Sequence, residues 1–476
     1  MQAGRYRVRA LLQMGVLSAA GLASLHLSAA GQNQAPVNAE AGKQDPAKAD
    51  AEKPDGAKAE AAKSFRAARA SIVQQLRDKN AEVRAAAIQK CAGYPGVDAA
   101  KVLMLQGLAS SYEDVRHGCI VTLWQFSSTR EVADYLRAEV TKDVRKGPVH
   151  FATVAAIAVL LAGETDEAAI PAEQSLDKLV ALADGPLAAV TLVDELSLHS
   201  DEASLKLLLK LSQTQFFRKK FGPRRAMGQA LMKMQKAEAV EAILQMLRTV
   251  QGETRADIEL YFTELCGQRL KTDEAWLAWW KSVRETFEFP KAAGAMQAMA
   301  ATTPTYYGLP MYGTKIVFII DASGSMRGER ILAAKRELIQ AIYDLPDGTE
   351  FNVLAFGDHV LPWQRQLLVA SKETKPAAQQ FVRNLGLASH TASYDALEAA
   401  MGFEAEAIFF LTDGKPNAGK ISQPPQIVNV ISKLNRVKRM TINSIGIGVG
   451  LPGNEFDLFL NVLAVENFGK YRRVDE

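Results

Sequence analysis

The chain is 476 residues long, 48% hydrophobic and 23% charged, which excludes collagen-like, wholly disordered and multi-span membrane proteins. At roughly 150 residues per domain, this length suggests about three structural units. The formal net charge is +3, and Arg5, Arg7 and Arg9 near the start account for it, so the rest of the chain is electrically balanced and bulk charge offers no case for nucleic-acid binding.

Those three arginines precede an apolar stretch, 10–27, broken by Gln13, Gly15 and His26 and followed by Ser28-Ala29-Ala30. Small residues at the −3 and −1 positions of a cut after Ala30 make residues 1–30 an expected signal peptide. An uncleaved anchor is the alternative, since the stretch could just span a bilayer. No twin-arginine pair is present, and the first cysteine, Cys91, lies too far on to carry a lipid near the exit. The expectation is a bacterial protein that is periplasmic, secreted or at the cell surface, with no stable membrane span after signal cleavage. Cys91, Cys119 and Cys266 are too few and odd in number for a disulfide framework. Buried free thiols are expected, with a single Cys91–Cys119 bridge as the alternative. No Cys or His spacing suggests zinc.

Residues 31–63 hold Ala, Lys, Glu, Asp, Pro, Gln and Gly, no aromatic and only Val37 among β-branched residues. Such a segment buries too little apolar surface to offset its ordering entropy and reads as a disordered linker. From 64 to 288 the periodicity is helical: Val132, Leu136 and Val140 recur every four residues, and Val240, Ile243, Leu244 and Leu247 follow the i, i+3, i+4, i+7 rule. An element also recurs. Asn80-Ala81-Glu82-Val83-Arg84 returns as Tyr112-Glu113-Asp114-Val115-Arg116 and, in part, as Lys142-Asp143-Val144-Arg145. A polar cap, a core valine and an arginine open a helix that packs on its predecessor. This resembles the HEAT-type helical repeat, which implies an all-α solenoid with a concave face as scaffold or binding surface. Gly147-Pro148 interrupts the third unit, and Gly222-Pro223-Arg224-Arg225 is read as opening a further helix. Phe216-Phe217-Arg218-Lys219-Lys220-Phe221 reads as a helix end with a solvated basic face rather than a single-strand platform. Trp276, Trp279 and Trp280 read as core packing that closes the helical domain. Residues 289–312, with Pro290, Pro304 and Pro310, form a second linker whose Tyr306-Tyr307-Gly308-Leu309-Pro310 part is expected to pack on the domain that follows.

Residues 313–476 switch to alternating strands and helices. Apolar runs at 315–320, 351–356, 407–411 and 441–447 and a last strand at 470–474 alternate with amphipathic segments. The fold class expected is therefore α/β, a doubly wound and mostly parallel, Rossmann-like sheet. Ligands in that architecture bind outside the carboxyl ends of the strands. There stand Asp321-Ala322-Ser323-Gly324-Ser325, the loop Ser389-His390-Thr391, and Thr412-Asp413-Gly414. Asp321, Ser323, Ser325, Thr391 and Asp413 converge if the sheet winds as read. Oxygen donors without His or Cys select Mg2+, with Mn2+ or Ca2+ as alternatives. Two charges among five donors leave a coordination position for a partner's carboxylate.

This pattern resembles the von Willebrand factor type A (vWA) family with its metal-ion-dependent adhesion site. The resemblance implies hydroxyl ligands from Ser323, Ser325 and Thr391, with Asp321 and Asp413 holding the ion directly or through water. It implies as partner a protein presenting a Glu or Asp carboxylate. Gly324 and Gly414 lie beside the ligands. Two glycines often precede the loop threonine in that family; here Ser389-His390 stand there, which implies a stiffer loop with His390 near the ion or its ligand. An enzyme is not expected. A phosphoryl-transfer Asp-x-Asp would need a carboxylate where Ser323 stands, no nucleophile elbow occurs, and Gly446-x-Gly448-x-Gly450 lacks dinucleotide spacing. A structural envelope scaffold with a silent metal site is the other alternative, a Mg2+-dependent phosphoryl hydrolase a more distant one.

Overall fold

A computed structural model describes residues 54–147, 149–163, 166–290 and 303–475. The expected signal peptide 1–30 and residues 31–53 of the expected linker lie outside the described residues. The first helix among the described residues, Pro54–Gln75, begins inside the segment read as linker. Its Ala-, Lys- and Glu-rich start has high helix propensity, and Phe65, Ile72 and Leu76 bury one stripe that anchors it.

The first two repeat elements open helices as expected. Asn80 caps Ala81–Ala92 by accepting from Glu82 N, and Glu113–Phe126 starts directly after Tyr112. The repeated arginines tie one unit to another: Arg84 Nε donates to Asp114 at 2.9 Å, its Nη1 donates to the carbonyls of Asp78 and Lys79, and its guanidinium lies on the Tyr112 ring. Lys142–Lys146 departs from expectation. It ends the helix Arg130–Lys146 instead of opening one, because Gly147 takes a left-handed conformation (φ +83°) that caps it. The helical region also departs from a strict solenoid, in which each unit touches only its neighbours. The helix Phe151–Ala162 is buried from Thr153 through Ala162, so it is surrounded on all sides. Arg116 reaches past its neighbours to a bidentate pair with Glu195, at 2.7 and 2.9 Å. That apolar helix is enclosed by the helix pairs directly before and after it in the chain, and those pairs also touch each other across it.

Phe221–Met234 is a helix, as Gly222-Pro223 implied. Phe216 and Phe217 are buried while Arg218, Lys219 and Lys220 are exposed. Trp276 and Trp280 are buried on Asp273–Val283, and Trp279 meets Phe287 edge-on. Cys91 and Cys119 are buried free thiols and Cys266 is partly buried.

The hairpin β1 (Thr305–Tyr306) and β2 (Leu309–Pro310) packs on the second domain as expected. Tyr306 is buried edge-on against Phe318 and Phe409. The sheet comprises β3 (Lys315–Asp321), β4 (Glu350–Phe356), β5 (Val360–Pro362), β6 (Leu368–Val369), β7 (Ala407–Thr412), β8 (Thr441–Ile447) and β9 (Tyr471–Val474). Its order is β5-β4-β3-β7-β8-β9, with β6 also on β4. The pairs among β4, β3, β7, β8 and β9 are parallel, and β5 and β6 are antiparallel. The parallel strands carry continuous apolar runs because both faces are covered: Ile316, Phe318 and Ile320 enter one core and Val317 and Ile319 the other. The two antiparallel strands escaped sequence reading because they are short and half-exposed, with Pro362 tolerated at the edge.

Residues 54–476 form one compact unit, and a buried ionic junction accounts for it. Arg225 is 2% exposed. Its Nε and Nη2 donate to Asp257 at 2.7 and 3.1 Å, while Nη1 donates to the carbonyl of Arg439 and to Thr441 Oγ1 at 2.7 and 2.8 Å. Thr441 Oγ1 in turn donates to Glu253 at 2.7 Å, and Glu406 accepts from the backbone of Glu253 and Thr314. Arg439 pairs with Asp194 and lies on Phe468. Gly252 has φ +61°, and a Cβ there would fall 1.9 Å from Glu406 Oε2, so the junction closes only over glycine. Thr314, Glu406 and Thr441 stand at the amino ends of β3, β7 and β8. The helical domain thus caps that end of the sheet.

Arg225→Ala leaves the buried Glu253 and the partly buried Asp257 without their cation and is expected to cost about 3–5 kcal/mol in chemical denaturation. Burial, outweighing the Arg225 cation, raises the Glu253 carboxyl from 4.5 to about 7. Its protonation in the folded state stabilises the protein below pH 4.5, and that contribution fades as pH rises to about 7. Glu253→Gln should remove this part of the pH dependence in melts compared with wild type across that window.

Candidate metal centre

The five expected donors lie at the opposite end of the sheet. The register Ile320↔Leu411 sets the ends of β3 and β7 side by side, so Asp321 and Asp413 leave adjacent strands. Asp321 is fully buried and both its oxygens are engaged: Oδ1 accepts from Ser323 N at 2.7 Å and Oδ2 from Thr412 Oγ1 at 2.5 Å. Past it the chain turns through the short helix Gly324–Met326, which brings Ser325 back over the strand end. Ser323 Oγ and Ser325 Oγ are 2.9 Å apart, and Ser325 Oγ donates to Asp413 Oδ1 at 2.8 Å.

Thr391 arrives on the loop before Ser393–Met401. Ala388 N bonds Ala322 O, Ala392 N bonds Gly357 O, and Thr391 N bonds Asn417 Oδ1 at 2.8 Å. Gly414 is the gap between the donors. A Cβ there would lie 3.2 Å from Ser325 Oγ and 3.6 Å from Thr391 Oγ1, so a larger residue would fill the space both hydroxyls face. Gly324 is similarly confined, its would-be Cβ 3.3 Å from Ala388 O. The five residues are thus brought together, and three hydroxyls with two carboxylates fit a hard divalent ion.

Burial raises the Asp321 carboxyl from 3.8 to about 6 against the lowering effect of its Thr412 and Ser323 hydrogen bonds, with Asp413 adding to the rise. A cation would relieve that cost. One protein cation already stands beside the site: Arg330 Nη1, from the first turn of Glu329–Asp344, is 3.0 Å from Asp413 Oδ2. His390 is at the rim, its side chain 62% exposed, with Nδ1 2.6 Å from Asp358 Oδ1. Asp358 also accepts from the backbone of Ser389 and His390. These bonds, the His390 side chain first, hold its carboxyl below the usual range. The loop lacking two glycines is therefore fixed by Asp358.

Sequence reasoning named Thr412 within the strand end Thr412-Asp413-Gly414 without giving it a role, and missed Arg330, Asn417 and Asp358. A signal existed for Arg330, since a cation in the first turn opposes the helix dipole and needs a reason. Asp358 stood just beyond a strand's carboxyl end. Nothing in the sequence marked Asn417.

Residues 314–465 match the family model for the von Willebrand factor type A domain. Inter-alpha-trypsin inhibitor heavy chain H1 of Mesocricetus auratus is 31% identical over 174 residues, 34% of this chain and 18% of that protein. Heavy chain H3 of Mus musculus is 31% identical over 183 residues, 36% of this chain and 20% of that one. The chain thus spans about a fifth of the length of these relatives. A solved von Willebrand factor type A structure from Catenulispora acidiphila is 26% identical, covers 35% of this chain and 40% of that one, and has a TM-score of 0.31. The C-terminal domain is a vWA domain, and the region before it is helical.

Magnesium titrated into the full chain is expected to bind at one site that Asp321→Ala abolishes and Gly414→Val blocks. Because protons compete for Asp321, affinity should fall as pH is lowered through about 6. Calorimetry at several pH values checks both.

Proposed function

We propose that this is an exported bacterial, non-enzymatic adaptor whose vWA domain binds an acidic group of a partner protein through a divalent ion, with the helical domain as scaffold or second binding surface. The observation that carries this reading is the cluster of Asp321, Ser323, Ser325, Thr391 and Asp413 at the carboxyl end of the sheet, opposite the end capped by the helical domain. Mg2+ is the ion proposed, with Mn2+ or Ca2+ as substitutes of the same hard character. When bound, it supplies a Lewis-acidic position for a carboxylate oxygen.

Asp321 and Asp413 balance a dication without saturating it, so its open position favours a Glu or Asp side chain arriving from outside. Ser325 holds Asp413 and is itself held by Ser323, and Asn417 fixes the loop bearing Thr391. The position two residues after Asp321 is Ser323, so the Asp-x-Asp pair of a phosphoryl-transfer site is not formed. Among the described residues, no helix is long and apolar enough to cross a membrane.

The test is recovery of envelope proteins on immobilised full chain, in Mg2+ and in chelator, with Asp321→Ala alongside. Metal-dependent recovery lost in the variant supports the adaptor. Equal recovery in chelator favours the scaffold with a silent site. Arg330→Ala is expected to tighten Mg2+ several-fold by removing the cation that competes for Asp413; unchanged or weaker Mg2+ binding would count against that role.

A further inference from the structure

Two histidines that look unrelated in the sequence meet in the helical domain. His117 lies on Glu113–Phe126, His199 follows Gly185–Leu196, and Asp201 caps Glu202–Ser212. The imidazoles stack with centroids 3.5 Å apart and planes 11° from parallel. His117 Nε2 is 2.9 Å from Asp201 Oδ2 and 3.1 Å from Ser204 Oγ, and His199 Nε2 is 2.5 Å from Glu113 Oε1. Asp201 is itself held by Ser204, whose N and Oγ each donate to it at 2.9 Å. One ligand atom from each of His117, His199 and Asp201 lies within 4.8 Å of the others. The four side chains are between 17% and 38% exposed, so an ion can reach them.

We infer that His117, His199 and Asp201 form a second metal site, for a borderline transition ion such as zinc, that staples the helix Glu113–Phe126 to the segment 185–212. Two imidazoles and a carboxylate make the donor set zinc favours, in contrast to the all-oxygen set at the strand ends. Binding requires the rings to fan apart about their Cβ–Cγ bonds, which their partial exposure permits. Glu113, on Nε2 of His199, then serves as the outer carboxylate that orients a metal-bearing imidazole through its other nitrogen. Three protein donors leave the fourth tetrahedral position to water.

The experiment uses the full chain carrying Asp321→Ala, so that the strand-end site does not contribute, stripped with chelator and titrated with Zn2+ and with Co2+ as a spectroscopic stand-in. One equivalent is expected to bind, with the intense visible absorption of tetrahedral cobalt. Zinc should raise the melting temperature by at least about 3 °C. His199→Gln and Asp201→Asn should each weaken zinc by at least about tenfold and remove the thermal shift, while the metal-free circular dichroism matches the parent. His199→Gln, at the more exposed ring, keeps the test decisive if His117→Gln fails to fold. No zinc binding, or binding and thermal shift unchanged in His199→Gln, would overturn the site and leave a hydrogen-bonded histidine pair.

Discussion

The Arg225 guanidinium is the constraint on which the arrangement of the two domains turns. It is buried, its donors are shared between Asp257 on its own domain and the Arg439 carbonyl and Thr441 hydroxyl on the other, and no other residue type offers such a fork. Because Thr441 also donates to Glu253, the contact is a network in which each polar group depends on the next, and removing one member strands the rest. Its location matters as much as its strength. The network engages the amino ends of the parallel strands, so the helical domain cannot cover the carboxyl ends.

That orientation fits the chemistry proposed for the domain. A parallel sheet delivers its side chains to the carboxyl edge, where β3 and β7 bring two aspartates together that lie far apart in the chain. The protein meets the electrostatic cost of burying Asp321 with hydrogen bonds from Thr412 and Ser323 and that of Asp413 with Arg330. A site built this way is held in shape by its own hydrogen bonds and stays responsive to a cation and to an anion beyond it.

The helical domain shows a different balance. The Asp-Val-Arg element was legible and its arginine does tie units together, as the Arg84–Asp114 bond shows. The third copy, already interrupted in the sequence by Gly147-Pro148, ends a helix instead of opening one, since a helix end and a helix start share the same short polar string and the left-handed Gly147 caps it. Phe151–Ala162 is apolar all round and must be enclosed on every side, so the helix pairs before and after it close over it and bring Glu113–Phe126 against Gly185–Leu196 and Glu202–Ser212. The meeting of His117 and His199 is a product of that folding.

Local sequence by itself determined the fold class and placed Asp321, Ser323, Ser325 and Asp413 just past two strands, because continuous apolar runs specify strands covered on both faces and a strand end specifies where its next residues point. It also determined that Tyr306 and Leu309 belong to the core they precede. Only the tertiary structure decided the partners of the buried charges: Arg330 on Asp413, Asp358 on His390, Arg225 across the junction, and the imidazole pair. Apolar periodicity is a property of neighbours a few residues apart. A charge can be neutralised from anywhere in the chain, so the residue that does so leaves no mark in the sequence around it.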